Sequence, residues 1–156
     1  MFVEAPAELM DRPGRGGSIL ELCSLPHVGD GNRLKLVLND WLAVLVEGTA
    51  ETLALSSALG LDPRLFVETV AGGSLASAYA SNRANAMLEG DFTPVFPLRH
   101  AAKDAADAAD KGGLGLPLTA ALLSRWQQAI ALGHGADDVA SAVTASSVTS
   151  DQEAYT

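Results

Sequence analysis

A lysine and an asparagine stand four residues apart in an otherwise apolar helical run, "GDGNRLKLVLNDW" at residues 29–41. Lys35 and Asn39 therefore share one face of the predicted helix. A lysine there can shuttle a proton if partial burial and the positive end of the helix dipole disfavour its charge, and the asparagine amide can orient a hydroxyl or the lysine itself. The alternative is that Lys35 reaches solvent and Asn39 bonds locally. Spacing alone favours this alternative.

A second charged group follows "FPLRH" on a later predicted helix. Lys103 and Asp107 are four residues apart, as are His100 and Asp104, so either pair can interact on one helical face. The aspartates at 104, 107 and 110 recur every three residues, which is typical of a solvated charged face. The pattern by itself favours that simpler interpretation.

Two common kinds of site are not supported by the sequence. Gly29-Asp30-Gly31 lacks the third glycine of a dinucleotide fingerprint, which would fall at Leu34, and no strand–helix–strand unit surrounds it. The two glycines instead allow a tight turn or the close approach of a ligand to the backbone. No metal site is predicted, because the histidines lack the spacing of metal ligands; they are His27, His100 and His134.

The composition and the helix start and stop signals predict an all-α fold. Hydrophobic residues make up 48% of the 156 residues and aromatic residues only 5%, which favours helices packed closely through alanine and leucine. The first helix is apolar on nearly every side in its first half, which predicts a central, buried position. Six helices are predicted, at about 32–59, 63–71, 74–88, 97–111, 117–132 and 137–145, the last starting at Ala136 or Asp137.

Charge and hydropathy exclude several classes of partner. A net charge of −9 and few basic residues argue against binding to nucleic acid or to an anionic membrane, where phosphates need Lys and Arg. No apolar run reaches the roughly 18 residues of a membrane span, and no signal peptide pattern is present. The single cysteine, Cys23, cannot form an internal disulfide, so a cytoplasmic protein is expected.

Four segments in order resemble the β-hydroxyacid dehydrogenases, a family that includes 3-hydroxyisobutyrate dehydrogenase and the relatives of 6-phosphogluconate dehydrogenase. They are "GDGNRLKLVLND", "EGTAETLALSSALGLDP", "FTPVFPLRHAAKD" and "GLPLTAALLSRWQQAIALGHGADDVASAV". The resemblance covers about residues 29–145. It implies a six-helix bundle of the 6-phosphogluconate dehydrogenase C-terminal type, which in the family also forms the dimer interface, so a homodimer is expected.

The resemblance also implies roles for individual residues. Lys35 matches the family's catalytic lysine, the acid/base for the substrate hydroxyl or carbonyl during hydride transfer. Asn39 and Gly31 match the substrate site, and the substrate would be a small 3-hydroxy acid. Lys103 matches a lysine that reaches the cofactor, NAD or NADP, and Phe96 lines that region. An NAD(P)-dependent oxidoreductase acting on a hydroxyl carbon is the expected class.

The N-terminal part departs from the family pattern. Residues 1–28 resemble a remnant of, or a linker from, a nucleotide-binding domain, in which Glu8-Leu9-Met10 replaces the Ser-Gly-Gly expected after Ala5-Pro6. We therefore expect the chain alone to be inactive, because it lacks the pyrophosphate-binding domain. The alternative is a non-catalytic helical dimerisation or binding module.

This division of the chain gives three segments. Residues 29–145 form the predicted helical substrate and dimerisation domain, and the polar residues 146–156 form a tail expected to be disordered.

Overall fold

The computed structural model describes residues 30–146, so the predictions for residues 1–28 and for the tail from residue 147 lie outside the described part. The helices are α1 (Asp30–Ala58), α2 (Pro63–Val70), α3 (Ala78–Glu89), α4 (Leu98–Gly112), α5 (Pro117–Ala131) and α6 (Val143–Ser146), with 3₁₀ turns at His134–Ala136 and Val139–Ala142. Within residues 30–146 there is no strand, only an isolated bridge between Pro97 and Asp138. The all-α prediction is confirmed.

The chain divides into two units, residues 1–34 and 35–156. Of the first unit only residues 30–34 are described, as the start of α1. The fold described below is that of residues 35–146. Ser146, which the sequence analysis assigned to the tail, ends α6 and is buried.

Local capping signals set most helix ends. At the start of the predicted second helix, Asp62 accepts a hydrogen bond from the backbone N–H of Arg64, and Pro63 opens α2, as expected for an Asp-Pro pair at this position. The predicted start of the third helix at residue 74 is wrong. Ser77 is the extended cap residue, and its hydroxyl accepts from the N–H of Ala80, so α3 begins at Ala78.

The predicted burial of the first half of α1 is wrong for its first residues and holds only from about Ala43 onward. The buried residues of this helix are Ala43, Val46, Glu47, Thr49, Ala50, Leu53 and Ser56, all in its later part. Before them, Val37, Leu38 and Trp41 are exposed, Trp41 to 58%. Helices α4 and α5 reach this level of α1, where they contact Asn39 and Asp40. The exposed apolar residues therefore lie on faces of α1 that these two helices leave uncovered.

Two polar contacts lock the register of α1 against α5. The hydroxyl of Thr119 donates to Asp40 Oδ1 at 2.6 Å, and Trp126 Nε1 donates to Glu47 Oε2 at 2.8 Å. On both helices the contacting residues are seven apart, from 40 to 47 and from 119 to 126, which is about two turns. The two helices therefore run in the same direction with a fixed register. Arg125 adds an ion pair, its Nε lying 3.1 Å from Glu47 Oε1.

Asp138 is the buried hub of the C-terminal part. The residue is only 1% exposed. One carboxylate oxygen accepts from the backbone N–H groups of Val95 and Phe96, at 3.1 and 3.0 Å. The other accepts from the N–H of Ala140 at 3.0 Å and pairs with the guanidinium of Arg83. Four donors thus satisfy a single carboxylate, as a buried charge requires.

The hub explains why the predicted sixth helix, from 136 or 137 to 145, is wrong in its first part. Asp137 and Asp138 both have extended ψ angles, of 167° and 153°. This allows the carbonyl of Asp137 to accept from Leu98 N–H, and the N–H of Val139 to donate to the carbonyl of Phe96. Residues 134–142 therefore form two 3₁₀ turns, and α-helix appears only at α6.

Burial raises the pKa of the Asp138 carboxyl, but the hydrogen bonds from Ala140, Phe96, Val95 and Arg83 lower it more, so its pKa lies below the ordinary 3.8. A carboxyl whose folded-state pKa is depressed contributes stability above its unfolded-state pKa and loses that contribution as the pH falls through the folded-state value.

We expect Asp138→Asn to lower the free energy of unfolding by about 3 kcal/mol at neutral pH, because it leaves Arg83 without its counter-charge. Urea unfolding followed by circular dichroism measures the change. The neighbouring Asp137→Asn is the control, since Asp137 is only half-buried and, among residues 30–146, its side chain hydrogen-bonds to His134 alone. Equal losses of unfolding free energy in the two variants would contradict the role of Asp138 as the buried hub.

Glu47 gives a second pH dependence, of opposite sign. Burial raises the pKa of the Glu47 carboxyl above the ordinary 4.5. The contacts with Trp126 and Arg125 lower the pKa, but by less than burial raises it. The stability this carboxyl contributes is present below its unfolded-state pKa and is lost as the pH rises through the folded-state value. We expect Glu47→Gln, which keeps an acceptor for Trp126, to weaken the fall in stability from pH 4 upward relative to the unchanged protein.

The measurement is the midpoint of urea unfolding at a series of pH values. Glu68→Gln is the control, because Glu68 is exposed on α2 and should leave the pH profile of stability unchanged. If the pH profile of stability for Glu47→Gln runs parallel to that of the unchanged protein, burial does not raise the pKa of Glu47.

Candidate functional site

A hydrogen bond between α1 and α4 defines the centre of the candidate site. The amide nitrogen of Asn39 donates to Asp104 Oδ2 at 2.8 Å, between residues 65 apart in sequence. A carboxylate only accepts, so this contact fixes which way round the amide lies. The carbonyl oxygen of Asn39 then remains available to accept from a ligand hydroxyl. The predicted alternative pair, His100 with Asp104, is not what the structure forms.

Lys35 lies one turn before Asn39 on α1 and is exposed. Among residues 30–146 its ammonium has no hydrogen-bonded or ion-paired partner. The interpretation of Lys35 as partly buried is therefore wrong for this part of the chain. An exposed, unpaired ammonium beside an oriented amide can meet the oxygen of a ligand that approaches this face.

Lys103 is adjacent to Asp104 on α4, and its ammonium donates to Asp107 Oδ2 at 2.7 Å. This hydrogen bond is the largest cause of a raised pKa for Lys103, and it lowers the pKa of Asp107. The predicted pairing four residues apart is confirmed. Arg99 and His100 are exposed on the preceding turn, so the start of α4 carries a basic edge.

Phe96 is half-buried just before α4. Its backbone is held on both sides, by Asp138 at the N–H and by Val139 at the carbonyl. These contacts fix the point at which Pro97 caps α4, and hence the positions of Lys103 and Asp104 along that helix. The spacing of sequence motifs gave no sign of this dependence, because Asp138 lies 42 residues after Phe96.

The structure brings four of the five predicted site residues into one unit. Lys35 and Asn39 lie on α1, Phe96 precedes α4 and Lys103 lies on it, with Asp104 linking the two helices. Gly31 lies in the first turn of α1, within residues 30–34 of the other unit. The sequence did not predict the contact between Asn39 and Asp104. It indicated only that Asp104 lies next to Lys103 on the same predicted helix.

Other kinds of site were sought in the same part of the chain. No group of three or more His, Cys, Asp or Glu side chains within residues 30–146 could hold a metal ion. No helix formed by these residues is long and apolar enough to cross a membrane.

Comparison with known proteins assigns the family. Residues 29–146 match the family described as the NAD-binding domain of NADP-dependent 3-hydroxyisobutyrate dehydrogenase. A chloroplastic glyoxylate/succinic semialdehyde reductase 2 of Arabidopsis thaliana is 26% identical, over 99% of this chain and 50% of that protein. A cytokine-like nuclear factor N-PAC of Aedes aegypti is 34% identical, over 71% of this chain and 20% of its own length.

The fold agrees with a solved structure of the same kind. The crystal structure of 3-hydroxyisobutyrate dehydrogenase from Salmonella typhimurium has a TM-score of 0.67 and 25% identity, covering 73% of this chain and 41% of that one. The helical architecture is thus that of the hydroxyacid dehydrogenase-like oxidoreductases. The chain belongs to the 3-hydroxyisobutyrate dehydrogenase family, and it spans half or less of the length of these relatives.

We expect Asp104→Ala to release the side chain of Asn39, because the amide loses its acceptor. Side-chain amide resonances of Asn39 in nitrogen-15 NMR should move toward those of a solvated asparagine, with a loss of about 1 kcal/mol of stability. Asp110→Ala is the control, since Asp110 is exposed further along the same helix. An unchanged Asn39 resonance in the Asp104 variant would contradict the contact.

Proposed function

We propose that the chain is the helical part of an NAD(P)-dependent oxidoreductase acting on small 3-hydroxy acids, with Lys35 as its acid/base. The observation that carries the proposal is the hydrogen bond from Asn39 to Asp104. It joins the helix that bears Lys35 to the helix that bears Lys103. The name of the family and the oxidoreductase names among the relatives support the reaction class.

Lys35 and Asn39 have complementary roles in this reaction. In the direction of reduction the Lys35 ammonium donates a proton to the carbonyl oxygen of the substrate, and in oxidation the neutral amine takes it from the hydroxyl. The carbonyl oxygen of Asn39, left available by the contact with Asp104, accepts a hydrogen bond from a substrate hydroxyl. The exposure of Lys35 leaves this face open to both substrate and nucleotide.

The residues present fit one edge of a nicotinamide dinucleotide. Arg99 and His100 are exposed in the first turn of α4, where the helix dipole adds positive potential. Lys103 is exposed one turn further along, with Asp107 as its partner, so this edge suits a phosphate or a polar nicotinamide group. Phe96 offers an apolar surface next to it. The cofactor, when bound, supplies the hydride chemistry. The residues described here hold only this edge, so we expect no turnover without a nucleotide-binding domain.

The partner we propose is a second copy of the chain. Val37, Leu38 and Trp41 form an exposed apolar face on α1, one that water penalises unless it is covered. In a two-fold homodimer this face of one copy packs against the same face of the other copy, so one interface covers both. A cytoplasmic location, drawn from the sequence, is part of the same proposal.

The second candidate is a non-catalytic helical module. The nuclear factor among the relatives favours it, as does the same exposed apolar face. In this case Lys35 and Asn39 would be ordinary surface residues. Substitution of Lys35 distinguishes the two candidates, because it should lower the rate of an oxidoreductase and leave a non-catalytic module unaffected.

The decisive experiment joins residues 29–156 to the half of the Arabidopsis reductase that the match does not cover. The chimera is assayed with NADH, NADPH and a panel of small 3-hydroxy and semialdehyde substrates. We expect turnover, and a fall of roughly 10²- to 10⁴-fold for Lys35→Met, because general acid–base catalysis contributes about that much.

Lys111→Met is the matched control, since Lys111 is an exposed lysine at the far end of α4 and its loss should leave the rate unchanged. A chimera that binds cofactor and turns over equally well with Lys35→Met would refute the assignment of the acid/base. The unfused chain should show no turnover.

We expect Trp41→Glu to convert the dimer to monomer, because a charge at the centre of an apolar contact is left unpaired and buried. Sedimentation velocity measures the mass. Leu132→Glu is the control, since Leu132 is similarly exposed but lies at the end of α5. An unchanged protein that is already monomeric at high concentration would rule out this dimer face.

A further inference from the structure

A cleft lies between α1, α2 and α3, away from the candidate site. Its volume is about 210 Å³ and none of the residues that line it is Lys35, Asn39 or Asp104. The lining residues are Thr49, Phe66, Val67, Val70, Leu75, Ser77, Ala80, Ser81 and Ala84. Helix α2 has no fully buried residue, so it forms a wall of the cleft without filling it.

The cleft is apolar and carries no charge. Phe66, Val67 and Val70 line it from α2, and Ala80 and Ala84 line it from α3. No Asp, Glu, Lys, Arg or His is among the lining residues. A charged ligand would lose its hydration here without gaining a counter-charge, which is costly. The lining therefore selects for a neutral molecule.

Hydroxyl groups give the cleft one polar end. Ser77 Oγ accepts from the N–H of Ala80 at 3.2 Å, which leaves its own proton free to donate. Ser81, one turn further along α3, makes no side-chain hydrogen bond to any residue from 30 to 146. The proton of Thr49 is already donated to the carbonyl of Leu45 at 2.7 Å. The hydroxyl donors left over therefore lie near the start of α3, while Thr49 can only accept.

We propose that this cleft binds a small neutral molecule with an apolar body and a single hydroxyl or carbonyl group. The apolar body packs on Phe66 and Val67, and the polar group exchanges hydrogen bonds with Ser77 and Ser81. The size is suitable, because an apolar cavity of about 150 Å³ is enough to hold benzene. The proposal does not depend on the dehydrogenase assignment, since it uses none of the same residues.

The test is a titration of the full chain with benzyl alcohol, followed by nitrogen-15 NMR. We expect saturable shifts of the backbone amides of Val67, Ser81 and Ala84. Ala80→Leu places a larger side chain in the cleft and should weaken binding at least about tenfold. Ala78→Leu is the matched control, because Ala78 is exposed on the same helix and does not line the cleft; it should bind as the unchanged chain does.

A second comparison separates the polar contact from packing. Ser81→Ala should weaken the binding of benzyl alcohol about fivefold, because one hydrogen bond is lost. The binding of toluene, which has no hydroxyl group, should not change. This arm remains decisive if Ala80→Leu does not fold. Benzoate binding as tightly as benzyl alcohol would overturn the proposal, as would shifts that survive Ala80→Leu. Shifts of the cleft amides on dilution without ligand would overturn it too, by showing that a second copy covers the cleft.

Discussion

A single buried carboxylate determines where the candidate site is assembled. Asp138 accepts from two backbone amides of the extended segment before α4, from Ala140, and from Arg83 on α3. The segment 92–97 contains two prolines and forms no helix or strand ladder that could hold it by itself. These bonds, together with the backbone bond from Leu98 N–H to the carbonyl of Asp137, fix the point at which α4 begins. The positions of the residues that α4 carries depend on that point.

Helix α1 is positioned by polar contacts as much as by packing. Its buried apolar residues are Ala43, Val46, Ala50 and Leu53, which pack closely but do not by themselves select one register. Asp40 and Glu47 supply the specificity, because they meet Thr119 and Trp126 on α5 with the same spacing on both helices. Such buried polar pairs favour one register over its neighbours, since a slip by one turn leaves a buried carboxylate without a partner. The same register sets the position of Asn39 against Asp104.

The candidate site is open on the side where chemistry would occur. Lys35 and Lys103 are both exposed, and the apolar start of α1 is exposed with them. The relatives are at least twice as long as the part that this chain matches. The separate cleft at α2 is bounded on its α3 side by small side chains, those of Ala80, Ser81 and Ala84.

The sequence by itself determined the features that depend on neighbouring residues. Asp62 and Pro63 start α2, Lys103 pairs with Asp107, and the family follows from motifs read in order, because caps, turns and spacing four residues apart act locally. Burial along α1, the breaking of the last predicted helix at Asp138, and the partner of Asn39 were decided only by the tertiary structure. Each of these depends on residues 42 to 79 positions away, and no local pattern specifies which distant donor a buried carboxylate will meet.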